Sequence, residues 1–116
     1  MFRDLVIANR SYRRFIESES ISRQTLLDLI DLARLSPSGA NKQALRYFVS
    51  CEPVQNEQVF TALAWAAYFK DWAGPVSGER PTGYIVIVQD QANKMVSGID
   101  YGIAAQTILL GATEMG

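Results

Sequence analysis

Five consecutive apolar residues, Tyr84-Ile85-Val86-Ile87-Val88, set the tightest limit on what this chain can fold into. An unbroken run of β-branched and aromatic side chains predicts a strand buried on both faces, because a half-solvated strand would alternate apolar with polar positions. A sheet of that kind needs a layer packed on each side. The sequence offers one other clear strand, Tyr47-Phe48-Val49-Ser50-Cys51, followed by Pro53. Two strands alone are marginal in water. The chain is therefore expected to continue beyond Gly116 or to be completed by a partner subunit. The alternative is a complete small domain with a compact helical core.

Helical spacing fills much of the rest. Phe2, Leu5 and Val6 predict a short amphipathic helix over Met1–Asn9, and Asn9–Phe15 reads as a polar, basic loop. Ser22 is a plausible N-cap for a helix running to about Leu35, with Ile21 and Leu26 placed for a hydrophobic staple. Leu26, Leu29, Ile30 and Ala33 form its apolar face, and Pro37 with Gly39 ends it in a turn. A further helix is predicted over Glu57–Ala67, a Gly- and Pro-rich loop over Asp71–Thr82, and a last helix from near Ser97 to the end. Cys51 reads as a buried small hydrophobe, and Tyr68 and Trp72 as core or interface aromatics.

Composition removes several function classes. With 48% hydrophobic and 20% charged residues the chain reads as ordinary globular protein, and 116 residues suit one domain. A net charge of −1 gives no field to draw it onto nucleic acid, and no apolar run approaches the ~20 residues of a membrane span. A single cysteine excludes an internal disulfide and suits a reducing compartment, so a cytoplasmic location is expected. There is no histidine. That excludes Ser-His and Cys-His nucleophile pairs and His-containing zinc sites, leaving carboxylates, Lys, Tyr or a cofactor to carry chemistry.

Two segments hold the candidate binding groups. In Asn9-Arg10-Ser11-Tyr12-Arg13-Arg14-Phe15, three guanidiniums repel one another unless an anion or carboxylates lie among them. The planar fork of Arg and the Ser hydroxyl suit a terminal phosphate; a solvated basic turn paired with Glu17 and Glu19 is the equal alternative. In Ser36-Pro37-Ser38-Gly39-Ala40-Asn41-Lys42-Gln43, Gly39 permits close backbone approach, and Ser38, Asn41 and Gln43 offer directional hydrogen bonds to a planar heterocycle. A plain helix stop and loop explains the same composition.

The order of these segments, with Trp72 and Pro75 ahead of the Tyr84–Val88 strand and the helix Ile99-Asp100-Tyr101-Gly102-Ile103-Ala104-Ala105-Gln106, resembles the FMN-dependent nitroreductase family over essentially the whole chain. The resemblance implies an α+β, nitroreductase-like three-layer fold: a central mixed or antiparallel sheet flanked by helices, incomplete in this chain. Residues 1–116 would form the N-terminal part of a single such domain. It further implies FMN bound at a homodimer interface. Asn9, Arg10, Ser11, Tyr12 and Arg13 would grip its phosphate and ribityl chain, and Pro37, Ser38, Gly39 and Asn41 would contact the flavin from the partner subunit. Arg13 is the candidate donor near the flavin N1–O2 edge. Lys70, Asp71 and Trp72 are placed near the pocket mouth, and the Gly102–Gln106 helix is read as structural.

The same resemblance implies a ping-pong oxidoreductase in which NAD(P)H reduces the flavin and the flavin reduces a nitroaromatic, quinone or similar acceptor. No catalytic side chain and no metal is required. Two departures stand out: Asn9 lies where many relatives carry a basic residue, and Ala44-Leu45 replaces the usual Pro-Trp after Gln43. The competing readings are a non-catalytic nitroreductase-like fragment and a polyanion- or RNA-binding module using Arg10, Arg13 and Arg14.

Overall fold

The computed structural model spans residues 1–116 and describes the side chains of all but residues 93–97. In chain order it contains α1 (Phe2–Ala8), α2 (Arg23–Leu35), β1 (Leu45–Ser50), α3 (Pro53–Thr61), β2 (Tyr84–Gln89) and α4 (Lys94–Met115). Single 3₁₀ turns lie at Gly39–Asn41 and Gln91–Asn93.

Local chemistry sets α2. The Ser22 hydroxyl accepts from the Thr25 amide at 3.1 Å, satisfying one of the amides left free at a helix start. Ile21 Cβ and Leu26 Cδ2 both lie 3.5 Å from where a Cβ on Gly83 would stand, so the expected staple closes over the residue leading into β2. Leu26, Leu29 and Ala33 are buried and Ile30 is half-buried, as the spacing predicts.

Helix α3 departs from expectation, running Pro53–Thr61 rather than Glu57–Ala67. Pro53 occupies the first helical turn, where its fixed φ fits and its missing N–H is not needed. Read as a strand stop alone, that proline hides a helix start. The other end stops early because Trp65 turns into an aromatic cluster, and Ala66 takes a φ of 32° that no helix continues through. Tertiary packing outweighs local propensity here.

The two strands pair antiparallel, with Tyr47 opposite Ile87 and Val49 opposite Ile85. Residues paired across a ladder share a face. Leu45, Tyr47, Val49, Ile85 and Ile87 therefore form the inner face, which meets α2 and α4. The outer face carries Arg46, Phe48, Val86 and Val88, and its apolar members are 45%, 38% and 49% exposed. The expectation of burial on both faces is thus met on one only. The apolar run is there, but Phe48, Val86 and Val88 on its second side stay exposed. Strand β1 also begins two residues earlier than expected and ends at Ser50, and Cys51 beyond it is only half-buried.

Helices α2 and α4 cross closely: a Cβ on Gly111 would stand 2.5 Å from Leu32 Cδ1 and 3.2 Å from Leu29 Cδ2. Ala104 is 2% exposed between them and the sheet, while Ile99, Tyr101 and Leu109 leave a second apolar side of α4 open. The radius of gyration, 15.1 Å, exceeds the ~13 Å of a compact domain of this length, in keeping with these two uncovered faces. Among the described residues no helix is long and apolar enough to cross a membrane. Ser50, at the end of β1, is fully buried. Its hydroxyl donates to Asn56 Oδ1 at 2.7 Å and Asn56 Nδ2 donates to the Thr82 carbonyl at 2.9 Å, tying β1, α3 and the entry to β2.

Replacing Ser22 by Ala is expected to destabilise the protein by about 1 kcal/mol, and by Asn only slightly, since Asn caps equally well. Urea unfolding midpoints measure both; an unchanged midpoint for Ser22→Ala would show the cap to be idle.

Candidate functional site

The basic segment emerges from α1, whose last turn closes with the Asn9 amide on the Leu5 carbonyl at 3.0 Å. Arg10 Nη1 donates to the Asn9 carbonyl at 2.7 Å and the Val6 carbonyl at 3.4 Å, a cationic cap on carbonyls the helix leaves free. Further along, backbone bonds from Phe15 N to Glu79 O (2.9 Å) and Glu17 N to Gly78 O (3.4 Å) lash the segment to the Gly- and Pro-rich loop. The Glu17 carboxylate accepts from the Gly78 amide, and Arg14 lies 3.7 Å from Glu79. Among the described residues neither Glu17 nor Glu19 pairs with an arginine, so that version of a neutralised basic turn is not what forms. Arg13 is half-buried and has no hydrogen bond or ion pair among the described residues.

Arg13 lines a cleft of about 450 Å³ with Ser11, Tyr12, Arg14, Phe69 and Trp72. Trp72 is half-buried and packs edge-on to Phe69 (6.4 Å) and Trp65 (6.4 Å); Trp65 in turn meets Phe15 (6.5 Å) and Phe60 (5.9 Å). Gly74 makes the cluster possible, because its φ of +116° and a virtual Cβ 2.7 Å from the Trp65 ring admit no side chain. Of the three residues expected at the pocket mouth, Trp72 lines this cleft, and Lys70 and Asp71 are exposed outside it. Tyr68 is 93% exposed and is not a core aromatic in this chain. On the other side of the segment Asn9, Arg10, Ser11 and Tyr12 line a second recess with Phe15 and Leu109.

The turn after α2 is more strained than its glycine suggests. Ala40, Asn41 and Gln43 have φ of 50°, 51° and 50°, whereas Gly39 is not left-handed. Such φ values cost non-glycine residues about 1 kcal/mol or more each, with Asn the most tolerant. A local network offsets the cost: Gln43 N donates to Ser38 Oγ at 3.1 Å and Gln43 Nε2 to Asn41 Oδ1 at 3.0 Å. Gly39 N donates to Asp100 Oδ1 at 2.9 Å. Asp100 is 3% exposed on α4, and the sequence signal for it is a carboxylate set between Ile99 and Tyr101 in a largely apolar helix. Pro37 and Ser38 border a recess of about 130 Å³ with Asp100 and Tyr47, and no residue of the arginine segment reaches it. Within one chain the two loops open into separate cavities.

A model of the family described as "Nitroreductase family" matches residues 7–116. No curated protein matches the chain. Among solved structures, a nitroreductase family protein of Clostridium novyi NT is 26% identical, with TM-score 0.75, covering 100% of this chain and 65% of its own. A Bacteroides thetaiotaomicron protein described as a putative NADH dehydrogenase/NAD(P)H nitroreductase is 20% identical, with TM-score 0.77, covering 98% and 62%. A putative nitroreductase of Desulfovibrio desulfuricans, solved in complex with FMN, is 21% identical with TM-score 0.72, covering 97% and 62%. The chain thus spans under two thirds of the length of these relatives while keeping their α+β fold throughout.

Two phenols titrate abnormally. Burial pushes Tyr47 up from the ordinary 10.0. Burial also raises Tyr84, with Arg80 pulling it back and Glu17 and Glu57 pushing it further up. The folded state therefore holds these protons more tightly than the unfolded state. Their contribution to stability is complete below about pH 10 and is lost as pH rises through the raised folded values. In alkaline unfolding curves, a Tyr47→Phe, Tyr84→Phe double variant should lose stability less steeply above about pH 10 than the parent. Parallel curves would remove these phenols from the alkaline transition.

Proposed function

The chain belongs to the nitroreductase family, and from that premise we propose that it forms the N-terminal part of an FMN-dependent oxidoreductase. It would use NAD(P)H to reduce nitroaromatic, quinone or similar small acceptors, as a cytoplasmic homodimer. The observation that carries this reading is Arg13: a half-buried guanidinium without a partner among the described residues, lining a cleft walled by Phe69 and Trp72. A partly desolvated charge of this kind is stabilised by an anion, and a phosphate matches its fork of donors.

The residues present fit FMN. Arg13, Ser11 and Arg10 are the candidates for its phosphate and ribityl chain; Arg10 spends only Nη1 on carbonyls and keeps its other donors. Asn9 and Tyr12 contribute backbone and shape. Pro37, Ser38, Gly39 and Asn41 would meet the flavin of the partner subunit. Two features favour a site shared by two chains. The loops open into separate cavities within one chain, and apolar faces on β1–β2 and α4 stand uncovered.

When bound, FMN would supply the redox chemistry, the transfer of reducing equivalents between NAD(P)H and the acceptor. The protein's share is binding, orientation and charge. The positive Arg13 would favour negative charge on a bound flavin, and Phe69 and Trp72 present apolar rings to the cleft. No side chain needs to act as a nucleophile, so the lack of histidine is no obstacle.

The protein is expected to purify yellow, or to quench FMN fluorescence on addition. Arg13→Ala should weaken FMN binding about 10- to 100-fold, the worth of a charge-assisted contact. NAD(P)H oxidation with a nitroaromatic acceptor should fall with it. Unchanged FMN affinity in Arg13→Ala would remove the phosphate grip. A colourless protein that instead binds single-stranded RNA would favour the polyanion module.

A further inference from the structure

We infer that Asp100 is a positioning residue for the flavin-facing turn: its carboxylate holds Gly39 in place and so stabilises the strained backbone that presents Ser38 and Asn41. The inference rests on the proposed flavin role of that turn. It starts from an oddity, a carboxylate 3% exposed in the apolar helix α4 with no cationic partner among the described residues. Burying a charge is costly unless something specific is gained. Oδ1 accepts the Gly39 amide at 2.9 Å across 61 residues of sequence, while Oδ2 is buried with no hydrogen-bond partner among the described residues. The useful work is therefore concentrated in one bond.

That bond falls where the backbone needs it. Residues 40, 41 and 43 all take φ near +50° without being glycine, and strain of this kind persists only where surrounding contacts over-determine it. Two further restraints on the turn are local, with Ser38 Oγ accepting Gln43 N and Asn41 Oδ1 accepting Gln43 Nε2. These shape the turn but do not fix it to the body of the protein. Asp100 does, because α4 is clamped to α2 where Gly111 meets Leu32. A carboxylate is not essential to this role: an amide oxygen at the same place accepts equally well, and Asn removes the unsatisfied buried charge. A leucine keeps the branched arrangement of heavy atoms and deletes the acceptor.

The test compares the parent protein with Asp100→Asn and Asp100→Leu by two readouts, amide hydrogen exchange of Gly39 without flavin and FMN affinity by fluorescence quenching. Slow Gly39 exchange is expected in the parent and in Asp100→Asn. Asp100→Leu should speed it at least about tenfold and weaken FMN about tenfold, the equivalent of one lost hydrogen bond. Asp100→Asn should restore both to within about threefold. Fast Gly39 exchange in the parent overturns the inference even if Asp100→Leu fails to fold, and so does slow exchange in all three. A loosened turn with unchanged FMN affinity overturns the link to the cofactor while leaving the flavin reading intact. A parent that binds no FMN, with Gly39 exchange still following residue 100, overturns that link through the flavin reading itself.

Discussion

The close crossing of α2 and α4 is the contact from which the rest of the structure is hung. It exists because residue 111 has no side chain: any Cβ there would drive into Leu32 and Leu29. With the helices in contact, Ala33, Ala104 and Val49 close over a thin core of small residues, and the inner sheet face is covered. Both halves of the candidate site hang from these elements. The strained turn leaves the C-terminal end of α2, its anchoring carboxylate sits on α4, and α1 delivers the arginine segment against the far end of α4.

The two halves use different physics to stay in place. The arginine segment is held by backbone bonds to residues 78 and 79 and by the Arg10 cap on α1, which leaves Arg13 unspent. Ion pairing contributes little there, because the Arg14–Glu79 contact is long and both partners are solvated. The turn instead carries strained backbone stabilised by a local hydrogen-bond network and one buried carboxylate. On the proposed reading, the first loop keeps charge in reserve for an anion and the second holds its backbone to present hydrogen-bonding groups.

Much of this was legible in the sequence wherever several local signals agreed. Ser22, the Ile21–Leu26 staple and the spacing of Leu26, Leu29 and Ala33 all point to one helix, and α2 forms with those bounds. Where one residue type serves two purposes, the reading failed. Pro53 ends one element and starts another, so α3 was placed too late. Trp65 leaves helical geometry for an aromatic cluster that includes Phe15, fifty residues away, which no local pattern records. In the turn, Gly39 drew attention as the flexible residue, yet the left-handed backbone falls on Ala40, Asn41 and Gln43. The contact of Asp100 was not legible because its partner is an amide 61 residues away.

The apolar run in β2 links the fold to the site. Its composition asks for cover on both faces, and the structure supplies one, leaving Phe48, Val86 and Val88 open. On α4, Ile99, Tyr101 and Leu109 are open in the same way. Apolar patches of this kind on a folded protein mark surfaces that meet another surface. The arginine segment and the glycine turn, meanwhile, open into different cavities of one chain. On the proposed reading, a second copy would seat against this one, burying the apolar faces and bringing a turn of one copy to the arginine segment of the other. Core and site would then be completed by the same contact, so that flavin affinity and stability rise together on association.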